Sequence, residues 1–172
     1  AKGGNSISSD TIYDTIIIGG GPGGLTAALY CGRYRLNTLL LEKEMASGGQ
    51  MITTEWVENY PGFEEPVIGN TLASAMEKHA IRFGAQITHK TVTSVDFSKE
   101  IKEVHTKDKT FKTRSVIIST GASPKKLGVP GEEEYRGRGV SYCATCDGPF
   151  YPDKEIVVVG GGNTALEEAL FL

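Results

Sequence analysis

Two cysteines stand two residues apart in Cys143-Ala144-Thr145-Cys146, and Asp147 follows them directly. That spacing lets two sulfurs close a small disulfide ring, and a thiolate released from such a ring is readily stabilised by a neighbouring charge or a helix terminus. A carboxyl group next to the pair can supply a proton to a leaving thiolate. A redox role follows, with two unconnected reduced thiols as the plainer alternative. A structural zinc needs four ligands, yet no second Cys-x-x-Cys exists, and Cys31, His79, His89 and His105 are scattered without ligand spacing. Cys31, among Ala28 and Gly32 in the first helix, reads as a small buried packing residue, and the histidines read as structural or exposed.

Glycine carries the second chemical signal. The chain has 22 glycines in 172 residues, nearly twice the ordinary usage of roughly 7%. Most of the excess is clustered at 19–24, 48–49 and 160–162. A dinucleotide pyrophosphate must approach the main chain closely, which a residue without Cβ permits, while the helix that follows aims free N–H groups at the phosphates. Gly19, Gly21 and Gly24 form such a GxGxxG turn after an apolar run, and Glu42 ends the next apolar run, where it can accept hydrogen bonds from a ribose. A second copy, Gly160-Gly161-Gly162-Asn163-Thr164-Ala165, follows Glu155-Ile156-Val157-Val158-Val159, which reads as a strand, in the permitted GxGxxA form. Ile16 to Gly21 lies over Val157 to Gly162 at a constant offset, and Leu25, Ala28, Leu29 and Tyr30 lie over Leu166, Ala169, Leu170 and Phe171. The period is too long for a solenoid and suggests two domains of one type. Two turns imply two dinucleotides, one held and one visiting, and a flavin with a nicotinamide is the economical pairing.

The elements that must position these residues are those of an α/β fold. Tyr13 to Ile18 reads as a strand, Pro22 to about Tyr34 as a helix and Thr38 to Glu42 as a second strand, which together make a βαβ unit. Leu72, Met76, Ala80 and Phe83 share one face of a helix over 70–83, stopped by Gly84. From Gln86 to Arg114 short alternating runs predict a small antiparallel meander, and Ser115 to Thr120 a further buried strand. Pro124, Gly128, Pro130 and Gly131 mark 123–131 as the domain junction, and Glu132-Glu133-Glu134 reads as a solvated surface.

Composition narrows the classes. The chain is 39% hydrophobic and 23% charged, with a net charge of −3, which describes an ordered globular chain of about one to one and a half domains. Eighteen basic residues against twenty-one acidic ones, without a basic block, leave no electrostatic footprint for nucleic acid. No apolar run is long enough to span a membrane, and the opening Ala-Lys-Gly-Gly lacks a leader's basic and apolar regions, so a cytoplasmic location is expected. Three cysteines are too few for a disulfide-built secreted scaffold.

Six segments then carry a resemblance: GGGPGG at 19–24, GGQM at 48–51, VENYPGF at 57–63, STGASPK at 119–125, GRGVSYCATCDGPFY at 137–151 and GGGNTALEEALFL at 160–172. From about residue 12 onward the chain resembles the N-terminal portion of the bacterial-type, low-molecular-weight thioredoxin reductases, of the pyridine nucleotide-disulfide oxidoreductase group. The resemblance implies that NADPH reduces FAD, the flavin reduces a Cys143–Cys146 disulfide, and the dithiol reduces thioredoxin. Cys146 would face the flavin, Cys143 would attack the partner disulfide, and Asp147 would act as acid and base. Gly19, Gly21, Pro22 and Gly24 match the FAD pyrophosphate loop and Glu42 the ribose ligand. Gly49, Gln50 and Asn59 match residues beside the flavin, Val92 an adenine contact, and Gly121 and Ala122 a close main-chain approach to the cofactor. Gly162, Asn163, Thr164 and Ala165 match the NADPH pyrophosphate turn.

The implied architecture is a Rossmann-like FAD-binding domain with three-layer ββα character and a small antiparallel meander, followed by the start of a second Rossmann-like domain. We expect a flexible tail over 1–10, the FAD-binding domain over 11–125 and the opening of the NADPH-binding domain over 126–172. The family also implies a homodimer and a hinge near 123–131. A complete member continues through the rest of the nucleotide domain and returns to the flavin domain, so these 172 residues alone are expected to be inactive. Relatives using ferredoxin as donor or a peroxiredoxin-linked domain as acceptor, and a non-catalytic nucleotide-binding fragment, are the alternative readings.

Overall fold

A computed structural model describes residues 11–54 and 56–172; the tail expected over 1–10 lies outside the described residues. The chain divides into two compact units, Ala1–Ala122 and Ser123–Leu172.

The first unit begins with strand β1 (Ile12–Ile18), helix α1 (Pro22–Arg33) and strand β2 (Thr38–Glu42). β-Branched residues favour the pleated backbone of β1. Pro22 opens α1, where its missing N–H costs nothing. The short strands β3 (Trp56–Val57) and β4 (Val67–Ile68) pair with each other, and α2 (Gly69–Arg82) follows. α2 stops at Phe83 and Gly84, whose φ of 95° suits only glycine without strain. Then come β5 (Gln86–His89), β6 (Val92–Asp96), β7 (Lys102–Thr106) and β8 (Thr110–Ile118).

Six strands form one sheet in the order β5-β2-β1-β8-β7-β6. β1 lies parallel to β2, with Ile17 opposite Leu40, and parallel to β8, with Ile16 opposite Val116. The period of two sends alternate residues to opposite faces. Ile17 and Leu40 pack against Leu25 and Ala28 of α1 and Ala80 of α2. Ile16, Ile18, Leu39 and Leu41 face the other way, against Val104 and Phe111 of the meander. Helices, parallel strands and meander therefore make the three layers the sequence implies. Each fully buried Leu or Ile in these clusters contributes about 1.5–3 kcal/mol.

Two boundaries differ from the sequence reading. β5 does not belong to the meander: Leu40 pairs with Ile87 in parallel, so β5 extends the central sheet, and only β6, β7 and β8 run antiparallel. The run after Arg114 is the second half of β8, and it is less buried than its apolar residues suggest, with Ile118 63% exposed.

The second unit holds the short helix α3 (Ala144–Asp147) and α4 (Asn163–Phe171). The strand expected over 155–159 is absent; the segment is exposed and pairs with no strand among the described residues. A β-branched run becomes a strand only when a neighbouring backbone accepts its ladder bonds, and none of the described residues does so.

Candidate functional site

In the first unit, the turn after β1 is built by close backbone approach. A Cβ on Gly19, whose φ is 104°, would strike the Ser119 carbonyl, and one on Gly24 would strike the Gly19 carbonyl. These two glycines are therefore required by the fold. Gly21 is different: a Cβ there meets nothing nearer than Gly49 Cα at 3.9 Å. The space in front of α1 is open, and no side chain caps the helix start. An N-terminus of this kind, with its first N–H groups lacking intrahelical partners, suits an anion.

Neighbouring segments lock the turn. The Gly19 amide donates to the Leu41 carbonyl at 2.9 Å, and the Ser119 hydroxyl donates to the Gly19 carbonyl at 3.0 Å. Glu42, 5% exposed, accepts the Gly20 amide through Oε2 at 2.5 Å and the Glu44 amide through Oε1 at 2.9 Å. The Gly48 amide donates to the Gly20 carbonyl at 2.7 Å, which lays the second glycine pair against the first. Gln50 follows in the short 3₁₀ turn Gly49–Thr53, and its Nε2 donates to the Ala122 carbonyl.

The structure brings part of the expected set together. A cavity of about 160 Å³ is lined by Gly19, Glu42 and Val92 together with Lys43, Lys90 and Thr91. Lys90 is paired with Asp108 at 2.6 Å, and this hydrogen bond holds the Asp108 carboxyl below its ordinary range. Gly21, Pro22 and Gly24 stand at the start of α1, and Gly49 and Gln50 beside that turn. Asn59 lies exposed between β3 and β4, and Gly121 and Ala122 are exposed just beyond β8. None of these three lines the cavity.

In the second unit, Cys143 and Cys146 are joined in a disulfide with a Cα separation of 5.3 Å. Cys143 caps α3 and Cys146 is exposed within it. Ser141, which the sequence reading passed over, organises this turn. Its hydroxyl accepts the Cys143 amide at 3.0 Å, a serine turn, and donates to Asp147 Oδ2 at 2.5 Å. The serine two residues ahead of Cys143 was the available signal.

Glu132 corrects a sequence expectation. It is 7% exposed, not solvated, and accepts the Leu127 amide at 2.8 Å, the Gly128 amide at 2.6 Å and the Tyr142 hydroxyl at 2.5 Å. The Tyr142 hydrogen bond, followed by those from the two amides, lowers its pKa to about 2. The same carboxylate raises the pKa of Tyr142. The neighbours Glu133 and Glu134 are exposed.

Gly162, Asn163, Thr164 and Ala165 stand together at the start of α4. A Cβ on Gly160, whose φ is 142°, would come 3.0 Å from the Ala165 Cβ, while Gly161 and Gly162 face open space. Among the described residues no group of three or more His, Cys, Asp or Glu side chains is placed to hold a metal. No helix there is long and apolar enough to cross a membrane.

Compared with known proteins, the chain is 52% identical over 166 residues to the thioredoxin reductase of Bacillus subtilis (strain 168), covering 96% of this chain and 52% of that protein. Among solved structures, thioredoxin reductase from Streptococcus pyogenes MGAS5005 matches with a TM-score of 0.88 and 45% identity, over 95% of this chain and 53% of that one. Thioredoxin reductase from Giardia duodenalis matches with a TM-score of 0.88 and 38% identity, over the same shares. The chain thus spans about half the length of the curated relatives it matches. The family model of pyridine nucleotide-disulphide oxidoreductases matches residues 13–172. With a glycine turn opening α1, a second opening α4 and a disulfide between them in sequence, the chain belongs to the pyridine nucleotide-disulphide oxidoreductase family.

Proposed function

We propose that the protein carrying this chain is an NADPH-dependent thioredoxin-disulfide reductase. The observation that carries the reading is the Cys143–Cys146 disulfide, with Asp147 tied to the same turn through Ser141. Residues 11–125 would form the FAD-binding domain and 126–172 the opening of the NADPH-binding domain.

The first unit fits FAD. Gly19, Gly21, Pro22 and Gly24 would receive the pyrophosphate in front of α1, Glu42 the ribose, and Val92 the adenine in the cavity they share with Gly19. Gly49, Gln50, Asn59, Gly121 and Ala122 would lie along the rest of the cofactor. Gly162, Asn163, Thr164 and Ala165 would receive the NADPH pyrophosphate. Bound FAD would supply the two-electron relay between NADPH and the disulfide.

The chain's own residues account for the remaining steps. Cys146, the exposed member of the pair, would take the electron pair, and the Cys143–Cys146 bond would break. Asp147 would move the proton that leaves one thiol or reaches another. Cys143 would attack the disulfide of thioredoxin, and Cys146 would displace reduced thioredoxin and restore the original bond. Such a thiol system belongs in the cytoplasm, where thioredoxin pathways hold thiols reduced. The resemblance also favours a homodimer.

The decisive measurement is NADPH-driven reduction of thioredoxin by the full-length protein with its flavin intact. Activity that disappears in Cys143→Ser and in Cys146→Ser is expected. A flavin-loaded protein with no such activity would overturn the reading, and exchanging NADPH for reduced ferredoxin in the same assay would then test the donor.

A further inference from the structure

We propose that Glu132 is a positioning residue for the redox pair, acting through Tyr142 on Cys143. The inference rests on reading Cys143–Cys146 as a redox disulfide and adds a residue to that site.

Its carboxylate is almost wholly buried, and both oxygens are used. Oε1 accepts the Leu127 amide and the Tyr142 hydroxyl, and Oε2 accepts the Gly128 amide. One side chain therefore ties the 127–128 segment to the residue immediately before Cys143. Charge-assisted bonds to a buried carboxylate are the strong ones in a protein. The Arg136 guanidinium sits 5.5 Å from the centre of the Tyr142 ring, so the ring is held at its face as well as at its hydroxyl. Separately, Ser141 and Asp147 fix the turn from within. Two links thus hold the segment around Cys143, one of them dependent on Glu132.

The consequence concerns how readily the disulfide opens. When a dithiol such as dithiothreitol reduces the pair, its two thiols give up two electrons and two protons and close into a cyclic disulfide. The Cys143–Cys146 bond breaks and two cysteine thiols form. The reverse reaction is favoured when the two thiols are held near each other, because proximity sets their effective concentration. Releasing Tyr142 frees Cys143 in the dithiol form and should shift the equilibrium towards that form.

The test is the thiol–disulfide equilibrium of the full-length protein in dithiothreitol buffers, read by alkylating the free thiols and weighing the peptide that contains both cysteines. Glu132→Gln and Tyr142→Phe should each move the balance towards dithiol by about three- to tenfold, the size of one lost hydrogen bond. The double variant should move it no further than the larger single change, because both break the same link. Lys126→Ala, which removes only the exposed ion pair with Glu133, should leave it unchanged. A merely structural role would lower the melting temperature of the variants and leave the equilibrium in place, and that result overturns the proposal. Additive shifts in the double variant overturn it too. If Glu132→Gln does not fold, Tyr142→Phe, which keeps the ring against Arg136, decides alone. A wild-type pair that dithiothreitol cannot open would refute the redox reading itself, whereas a pair that opens normally with unmoved variants would refute only the role of Glu132.

Discussion

The Ser141 hydroxyl lies 2.5 Å from Oδ2 of Asp147 and donates to it, while its oxygen accepts the Cys143 amide at 3.0 Å. One hydroxyl therefore fixes the carboxyl group relative to the backbone of Cys143, the first cysteine of the disulfide. On the proposed function, replacing Asp147 by Asn should lower the turnover of the full-length protein by about 10² to 10⁴, the usual worth of a positioned acid or base. Ser141→Ala keeps the carboxyl and loses only its tether, so a loss of about tenfold is expected. Steady-state rates across pH, with saturating NADPH and thioredoxin, check both.

Two glycines of the first turn should fail in different ways. Gly24→Ala drives a Cβ into the Gly19 carbonyl, so folded protein should be lost along with flavin. Gly21→Ala points its methyl into the open space before α1 and should fold normally, yet bind flavin poorly. Circular dichroism measured beside the flavin absorbance per chain separates the two outcomes.

Phe111 tests the layering. It is fully buried between the meander and the parallel strands, packed with Tyr13, Ile16 and Leu39. Phe111→Ala should cost about 3–5 kcal/mol, read as a lowered midpoint in urea unfolding. A loss below about 1 kcal/mol would mean that the meander does not close over that face.

Glu132 sets an acid limit. Its folded pKa of about 2 lies below the ordinary 4.5, so its contribution to stability is complete above 4.5 and is lost as pH falls towards 2. Glu132→Gln should therefore be less stable than wild type near neutrality and lose less on going from pH 5 to pH 2. Tyr142 works in the opposite direction. Its pKa is raised, so its hydroxyl should still be protonated when an ordinary tyrosine ionises, which ultraviolet titration of Tyr142→Phe against wild type can read.

What the sequence revealed follows from how local each signal is. β1, α1 and β2 were legible almost to the residue, because Ile16-Ile17-Ile18, Pro22 and the glycines specify strand, helix start and turn within a few positions. The cysteine pair was legible for the same reason. The parallel pairing of β5 depends on which backbone lies beside it, and nothing in Gln86 to His89 states that. Glu132 was misread because a run of three glutamates resembles a solvated face. Its burial comes from Leu127, Gly128 and Tyr142, and the last of these lies ten residues further on. The Val157-Val158-Val159 run shows the reverse error: strong strand propensity, but no ladder among the described residues.

That same run governs how these 172 residues would behave at high concentration. Val157 is 82% and Val159 64% exposed, in a stretch of four β-branched residues flanked by Glu155 and Gly160. An exposed apolar segment that pairs with no strand among the described residues is a template onto which another chain can add a strand. Light scattering by the isolated 172-residue polypeptide should rise with concentration, and Val158→Lys, placing a charge at the centre of the run, should suppress it.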